Sequence, residues 1–135
     1  MSDLHVLVRV AGEDYALAVA DVLEVTELGE ITPVPGAGAE VLGVRNLRGQ
    51  VLTVIDLASV LGLAGSRPDH IVVAEQGGLK GGMAVDSVAG VEPLPDALQQ
   101  VESRHLAGAA LTDGALVGVI DVSSVLHEVA GASAR

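Results

Sequence analysis

The segment Leu42–Leu61, LGVRNLRGQVLTVIDLASVL, is the most informative about the fold, because a second version of it occurs 65 residues further along the chain. That second version, Ala107–Leu126, reads AGAALTDGALVGVIDVSSVL, and eight of its twenty positions are identical to the first. The same offset aligns HVLV at His5–Val8 with HIVV at His70–Val73. The similarity indicates that one supersecondary unit has been used twice.

Each copy, at about residues 4–66 and about residues 70–129, is predicted to contain the same series of elements. Two strands joined by a glycine turn are followed by a short apolar strand, a proline-marked connection, a hairpin and a short helix. The hairpins turn at Arg48-Gly49 and at Asp113-Gly114, and Asp-Gly is a favoured two-residue turn. The strands predicted before the hairpins are Leu4–Val10, Tyr15–Val19 and Val22–Val25, then His70–Glu75, Leu79–Val85 and Val88–Val91, and the helices predicted after them are Leu57–Leu61 and Val122–Glu128.

Five short, valine-rich strands per copy predict a mostly β fold. The expected architecture is two pseudo-repeated five-stranded β-barrels of the SH3-like type, one per copy, with short helices including one near the C-terminus. A barrel of about 65 residues would be only marginally stable alone, so we expect the two to share an apolar core within a single domain over residues 1–135. The seam between the copies is the expected place for a groove.

The composition argues against several classes of function. The 135 residues carry 18 acidic and 7 basic side chains, a formal net charge of −11, whereas nucleic-acid binding needs a basic surface. Tyr15 is the one aromatic residue and there is no cysteine, which removes base-stacking platforms, thiolate metal sites and cysteine nucleophiles. The four histidines lack metal-binding spacing, so neither a metal nor a cofactor is predicted.

No segment has the composition of a membrane span. The longest run without Asp, Glu, Lys or Arg is the ten residues Leu57–Ser66, against about 20 for a transmembrane helix. Residues Met1–Val10 lack the basic start, long apolar region and cleavage site of a signal peptide. We therefore expect a cytoplasmic protein.

Two aspartates stand where each hairpin ends and each helix begins. Asp56 and Asp121 can each accept a hydrogen bond from the free amides of a first helical turn. The alternative is a pair of catalytic carboxylates, one per copy, but neither residue stands in an Asp-Thr-Gly or Asp-Ser-Gly context. The glycine-rich run around Lys80, GGLKGG, lacks the spacing of a phosphate-binding loop and is read as a hairpin turn.

One segment of this acidic chain carries only positive charges. Between residues 41 and 55 the only charged side chains are Arg45 and Arg48. Glu24 in the same copy could form a bidentate pair with Arg48 and hold the hairpin turn to the barrel wall. The second copy has Gly90 and Asp113 at the corresponding positions, so the fold can be built without the pair. The asymmetry predicts a partner-recognition surface on the first copy.

The chain resembles the CheW family, the coupling proteins of bacterial chemotaxis arrays. The most specific match is Gly-Val-Arg-Asn-Leu-Arg-Gly at Gly43–Gly49 followed by Val-Ile-Asp-Leu at Val54–Leu57. The first strand departs from the family, because it reads HVLV where a phenylalanine is common. The other matching elements are Tyr15–Val19, Val22–Val25, Ile31–Pro35, Val85-Asp86 and the hairpin and helix from Gly108 to Leu126.

The resemblance implies a non-catalytic adaptor. Such proteins link the cytoplasmic tip of membrane chemoreceptors to the regulatory domain of the histidine kinase CheA, which implies recruitment to receptor arrays without membrane insertion. The resemblance also implies the partner-binding residues. They are the charged pair Glu24 and Arg48, the first-half positions Val22, Gly43 and Asn46, and the second-half positions Val88 and Val91.

Two other functions stay open at this stage. A divergent paralogue of the family could serve another pathway, such as surface motility. A small-molecule-binding β-barrel would hold its ligand in the seam between the copies. An enzyme is not expected, since no nucleophile elbow or metal motif accompanies the serines and histidines.

Overall fold

The two halves of the chain contain the same series of elements in the same order. The computed structural model describes residues 3–95 and 98–133. The first half contains β1 (Leu4–Val10), β2 (Glu13–Ala18), a 3-10 turn (Val19–Asp21), β3 (Val22–Glu27), β4 (Val41–Leu47), β5 (Gln50–Asp56) and α1 (Leu57–Val60). The second contains β6 (His70–Gln76), β7 (Leu79–Val85), β8 (Ser87–Pro93), β9 (Leu106–Thr112), β10 (Ala115–Ile120) and α2 (Val122–Ser133).

The mostly β fold with two five-stranded units is confirmed, but the assignment of one barrel to each copy is wrong. Sheet I has the strand order β8-β1-β2-β10-β9, and sheet II has the order β3-β6-β7-β5-β4. Each sheet therefore combines two strands of one copy with three of the other. Strands of the two copies are joined by two parallel pairings, β2 with β10 and β5 with β7. We call this arrangement the strand exchange.

Each sheet closes on itself through a short bridge made by the connection before its last hairpin. In sheet II, the Thr32 and Val44 backbones exchange two hydrogen bonds of 2.9 Å. In sheet I, Gln99 and Ala109 exchange bonds of 2.8 and 2.9 Å. Two such closures turn the five-stranded sheets into barrels, which removes exposed sheet edges. We call them barrel I and barrel II after their sheets.

Glycine is required where each closing segment crosses its barrel. Gly43 has φ of +148°, and a Cβ there would overlap the carbonyl oxygen of Thr32. At the equivalent Gly108, a Cβ would lie 2.8 Å from the carbonyl oxygen of Gln99. The identity of these two residues in the repeat therefore follows from barrel closure.

The hairpin turns confirm the expectation from the glycine pattern. Among residues 3–95 and 98–133, the four hairpins have tight turns with positive φ at both central residues, as type I′ turns require. Arg48 and Gly49 have φ of 51° and 82°, and Asp113 and Gly114 have φ of 49° and 76°. Lys80 lies in β7 just after the Gly77-Gly78 turn, so the GGLKGG run is a hairpin.

Both helix-capping aspartates are confirmed. Asp56 Oδ1 accepts a hydrogen bond of 3.2 Å from the amide of Ala58, and Asp121 Oδ1 accepts one of 3.1 Å from the amide of Ser124. These bonds satisfy amides that the first helical turn leaves free. The α2 helix runs to Ser133, five residues beyond the predicted end.

A central apolar core fills the space between the two barrels and confirms the predicted shared core. Strands of both sheets and α2 contribute to it, and each barrel also has a smaller core of its own. Gly81 lets α2 approach β7, since a Cβ there would lie 2.9 Å from Val129 Cγ1. The largest fully buried side chains are Leu17, Ile55, Leu57, Ile71, Met83, Leu94 and Leu126.

Candidate functional site

The ion pair between Glu24 and Arg48 joins the two opposite edges of sheet II. Glu24 is on β3 and Arg48 follows β4, which are the first and last strands of that sheet. Arg48 Nη1 donates to Glu24 Oε1 at 2.8 Å, and Nη2 donates to Oε2. The predicted bidentate pair is therefore confirmed. It can form only because the sheet curls into a barrel, so it marks one end of barrel II.

Solvent reaches the two partners of this ion pair unequally. The Arg48 side chain is 72% exposed and the Glu24 side chain 26%. The carboxylate is set into the barrel wall, and it holds the guanidinium in a fixed position at the surface. Asn46 stabilises the turn beneath it, because its Oδ1 accepts a hydrogen bond of 3.1 Å from the amide of Gly49.

A pocket of about 320 Å³ opens beside this ion pair. One side of it is polar, and there Lys80 Nζ donates to Gln50 Oε1 at 3.0 Å. The other side is aliphatic. We call this region, with its ion pair, the Arg48 end of barrel II. Its lining residues are Glu24, Leu47, Arg48, Gln50, Val51, Leu52, Thr53 and Lys80.

The seven predicted partner-binding residues do not form one patch. Glu24, Asn46 and Arg48 lie together at the Arg48 end. Val88 and Val91 lie on β8, which belongs to sheet I and pairs with β1. Their role in binding partners stays a prediction.

Three of the predicted partner-binding residues have structural roles. Val22 and Val88 are half-buried and pack against the central core. Gly43 is buried where the closing segment crosses. Substitution of any of these would disturb the fold, so they are poor probes of binding. Val91, at 55% exposure, is the one apolar member of the set that presents a largely solvent-exposed side chain.

The equivalent end of barrel I has different chemistry. Asp113 replaces Arg48 at the turn, and Gly90 replaces Glu24. The register pairs Leu111 with Leu116 across this hairpin, and both side chains are more than half exposed. We call this the Asp113 end. Its turn bears a carboxylate, whereas the turn of the Arg48 end bears a guanidinium.

A second polar cluster, which the sequence did not indicate, lies in a cleft of about 250 Å³ between the two halves. His105 is only 6% exposed. Its Nδ1 is 2.7 Å from Ser124 Oγ, and its Nε2 accepts a hydrogen bond of 3.2 Å from Arg104 Nε. Arg104 also donates to Glu128 of α2. Glu40 and Ser59 line the side of the cleft that the first half provides.

Burial lowers the pKa of the His105 imidazole, and the nearby Arg104 guanidinium lowers it further. Glu128 and Asp121 act in the opposite direction and are weaker. Since Nε2 accepts from Arg104, the imidazole is assigned as neutral with its proton on Nδ1. His105 therefore donates to Ser124 and cannot take its proton. This arrangement of serine, histidine and glutamate is unsuited to nucleophilic catalysis.

Neither a metal site nor a membrane helix is found in the part of the chain that the structure describes. Residues 3–95 and 98–133 contain no group of three or more His, Asp or Glu side chains placed to hold a metal ion. Over the same residues, no helix has both the length and the apolar character that crossing a membrane requires.

Comparison with known proteins assigns the chain to a family. The model of the CheW-like domain matches residues 4–130. The chain therefore belongs to the CheW-like domain family.

Individual members are similar over most of their length. The chemotaxis protein CheW of Rhizobium meliloti (strain 1021) is 30% identical over 130 residues, which cover 87% of this chain and 83% of that protein. The chemotaxis protein CheW of Thermotoga maritima is 31% identical over 129 residues, covering 87% and 84%. The crystal structure of the scaffolding protein TtCheW from Thermoanaerobacter tengcongensis matches with a TM-score of 0.78 at 30% identity, covering 90% of each chain.

Proposed function

We propose that this protein is a non-catalytic adaptor that couples the cytoplasmic tips of chemoreceptors to the regulatory domain of a CheA-type histidine kinase. Family membership over residues 4–130 and the similarity to chemotaxis proteins over more than four-fifths of their length support this proposal. The likeness to a scaffolding protein at 0.78 TM-score supports it further. In this role the chain is a single cytoplasmic domain recruited to receptor arrays.

The observation that carries the proposal is the Glu24–Arg48 pair, which the fold does not need. Barrel I closes without an equivalent pair. A surface ion pair contributes only about 0 to 1 kcal/mol to stability. Arg48 also occupies a left-handed turn position, at φ of 51°, where Asn or Gly is favoured. Stability alone gives no reason for this arginine, and a partner-recognition role does.

The physical advantage of this arrangement is a cation whose position is fixed before binding. The Glu24 carboxylate accepts hydrogen bonds from both terminal nitrogens of Arg48. The Arg48 side chain is therefore already ordered and loses little entropy when a partner docks. Fixed charges beside aliphatic surface give an interface its specificity more than its raw affinity. An adaptor that must recognise particular partners needs this combination.

The chemistry of the polar side chains supports a role without catalysis. Asp56 and Asp121, the candidate acid–base pair, both cap helices. His105 is held neutral with its lone pair directed at Arg104. These three side chains are thus committed to local structure.

The decisive experiment is calorimetric titration of the purified protein with the regulatory domain of the CheA-type kinase from the same organism. We expect saturable one-to-one binding. The variant Arg48→Asn should bind at least about tenfold more weakly, a loss of about 1.4 kcal/mol, while remaining folded because Asn is favoured at this turn position.

The control is Asp113→Asn, the same turn position in barrel I. It should bind like the wild-type protein if recognition resides at the Arg48 end. Failure of the wild-type protein to bind either the kinase domain or a receptor-tip fragment, with folding shown by circular dichroism, would reject the proposed function.

A further inference from the structure

We infer that the pocket at the Arg48 end binds an acidic, aliphatic segment of a partner protein, whose carboxylate is held jointly by Lys80 and Arg48. This inference rests on the proposed adaptor function and names the chemistry that the partner must present there. Lys80 belongs to the second copy, on β7, and reaches the pocket because β7 lies beside β5 in sheet II. The strand exchange thus brings a cation of one copy to the binding surface of the other.

The two cations have hydrogen-bond capacity to spare. Arg48 uses one N–H on each terminal nitrogen for Glu24, out of the five that a guanidinium carries. Lys80 gives one of its three N–H groups to Gln50 Oε1. In residues 3–95 and 98–133, Glu24 is the only ion-pair partner of Arg48, and Lys80 has none. The remaining donors are available to an acceptor supplied from outside the chain.

The charge of the pocket is opposite to that of the molecule. Two cations and one carboxylate line it, whereas the chain as a whole carries −11. An acidic segment is therefore repelled by most of the surface and attracted at the Arg48 end. Charge complementarity of this kind directs a partner to one place and one orientation.

The apolar wall defines the rest of the partner's chemistry. Val51 is 71% exposed, and Leu47 and the buried Leu52 lie beside it. An aliphatic side chain next to the partner's carboxylate would remove this surface from water, which favours binding. At about 320 Å³, the pocket is within the size range of ligand-binding pockets.

The equivalent end of barrel I could not bind such a segment. Asp113 and Leu116 stand at the positions of Arg48 and Val51, and Tyr15 stands at the position of Lys80 in the repeat. The Tyr15 hydroxyl donates to Glu13 Oε2 at 2.7 Å. That end has no cation in the corresponding places, so it provides an internal control.

The test is an NMR titration of the ¹⁵N-labelled full chain with a capped peptide of alternating glutamate and leucine. We expect saturable shifts of the amides of residues 47–53 and Lys80, weakened by added salt because the charges are solvent-accessible. The matched peptide with glutamine in place of glutamate should bind at least about tenfold more weakly. Lys80→Gln should reduce affinity about threefold and Lys80→Glu about tenfold.

Two controls make the outcome decisive. Arg67→Glu changes the net charge as much as Lys80→Glu but lies outside the pocket, and it should leave binding within about twofold of wild type. Free glutamate at the same concentration should give no saturable shift. Equal shifts with the glutamine peptide or with free glutamate, or no shift at these amides, would overturn the inference.

The kinase and receptor titrations separate this inference from the proposed function. If wild-type protein binds its partners and Lys80→Glu binds equally well, the pocket inference is wrong and the adaptor function stands. If the wild-type protein binds neither partner, the adaptor function is wrong. The peptide titration then still decides whether the pocket accepts acidic segments.

Discussion

The two barrel ends of this molecule are built from the same backbone and carry opposite chemistry. At the Arg48 end, a glutamate, an arginine and a lysine surround an aliphatic wall. At the Asp113 end, the corresponding turn bears a carboxylate beside an exposed leucine pair. The shared features, including the type I′ turns and the closing glycines, are therefore requirements of the fold. The features that differ are free for function, and they distinguish the surfaces that two partners could use.

The largest effect should come from the closing glycines, which the two barrels share. Gly43→Ala places a Cβ against the carbonyl oxygen of Thr32 and should cost about 3 kcal/mol of unfolding free energy or prevent folding. Gly90→Ala is the matched control, since Gly90 has φ of +144° but open space around its Cβ position. Chemical denaturation should show a smaller loss, about 1 kcal/mol, for Gly90→Ala. Equal losses would mean that backbone strain, rather than barrel closure, makes glycine necessary at residue 43.

Loss of a helix cap should lower the unfolding free energy by less than loss of a closing glycine, and by different amounts in the two halves. Asp56 accepts bonds from the Ala58 amide and from the hydroxyls of Ser59 and Ser66, whereas Asp121 accepts one from the Ser124 amide. We expect Asp56→Ala to cost about 2 kcal/mol and Asp121→Ala about 1 kcal/mol. Thermal unfolding followed by circular dichroism measures both. A larger loss for Asp121→Ala would show that the hydroxyl bonds of Asp56 contribute little.

The charged turns should separate binding from stability. Arg48→Asn removes the ion pair, worth about 0 to 1 kcal/mol, but relieves an unfavourable left-handed residue, worth about 1 kcal/mol. The unfolding free energy should therefore change by less than about 1 kcal/mol, in contrast to the expected tenfold loss of kinase-domain binding. A drop in stability as large as that of Gly43→Ala would identify the pair as a structural clasp.

The smallest effect concerns the cleft between the halves, where Glu40 and His105 occupy equivalent positions in the repeat. The Glu40 carbonyl oxygen accepts a hydrogen bond of 2.7 Å from the amide of Asp56, and the His105 carbonyl oxygen accepts one of 2.8 Å from the amide of Asp121. At the second site, burial and then the Arg104 guanidinium lower the pKa of the His105 imidazole.

Since the folded state favours neutral His105, its contribution to stability is complete above about pH 6.5 and declines as the pH falls toward the lowered pKa. Denaturation at pH 7.5 and 5.5 should show a smaller pH-dependent loss for His105→Gln than for wild type. Glu40→Gln should retain the wild-type loss over that range. Identical pH dependence in wild type and His105→Gln would show that the imidazole does not titrate differently in the folded state.

Many local features could be predicted from the sequence. The turns at Arg48-Gly49 and Asp113-Gly114, the caps at Asp56 and Asp121, and the Glu24–Arg48 pair all depend on short patterns or on a charge that has one obvious partner. Other features could not be predicted because they depend on which distant segments meet. Gly43 matched a partner-facing position, but the structure places it under the closing segment. Lys80 was read only as part of a turn, and nothing in the local pattern around His105 predicts its burial.

The repeated series of strands and helices follows from local sequence, since backbone preferences and turn chemistry act within a few residues. Which strands share a sheet depends on long-range contacts in the folded protein. Two similar copies offer similar strands, and neighbouring residues cannot specify whether the free edge of β5 pairs with β2 of its own copy or with β7 of the other. Packing of the central core selects the exchanged arrangement, in which both copies contribute to each sheet. That choice, made by long-range apolar contacts, also places Lys80 beside Arg48.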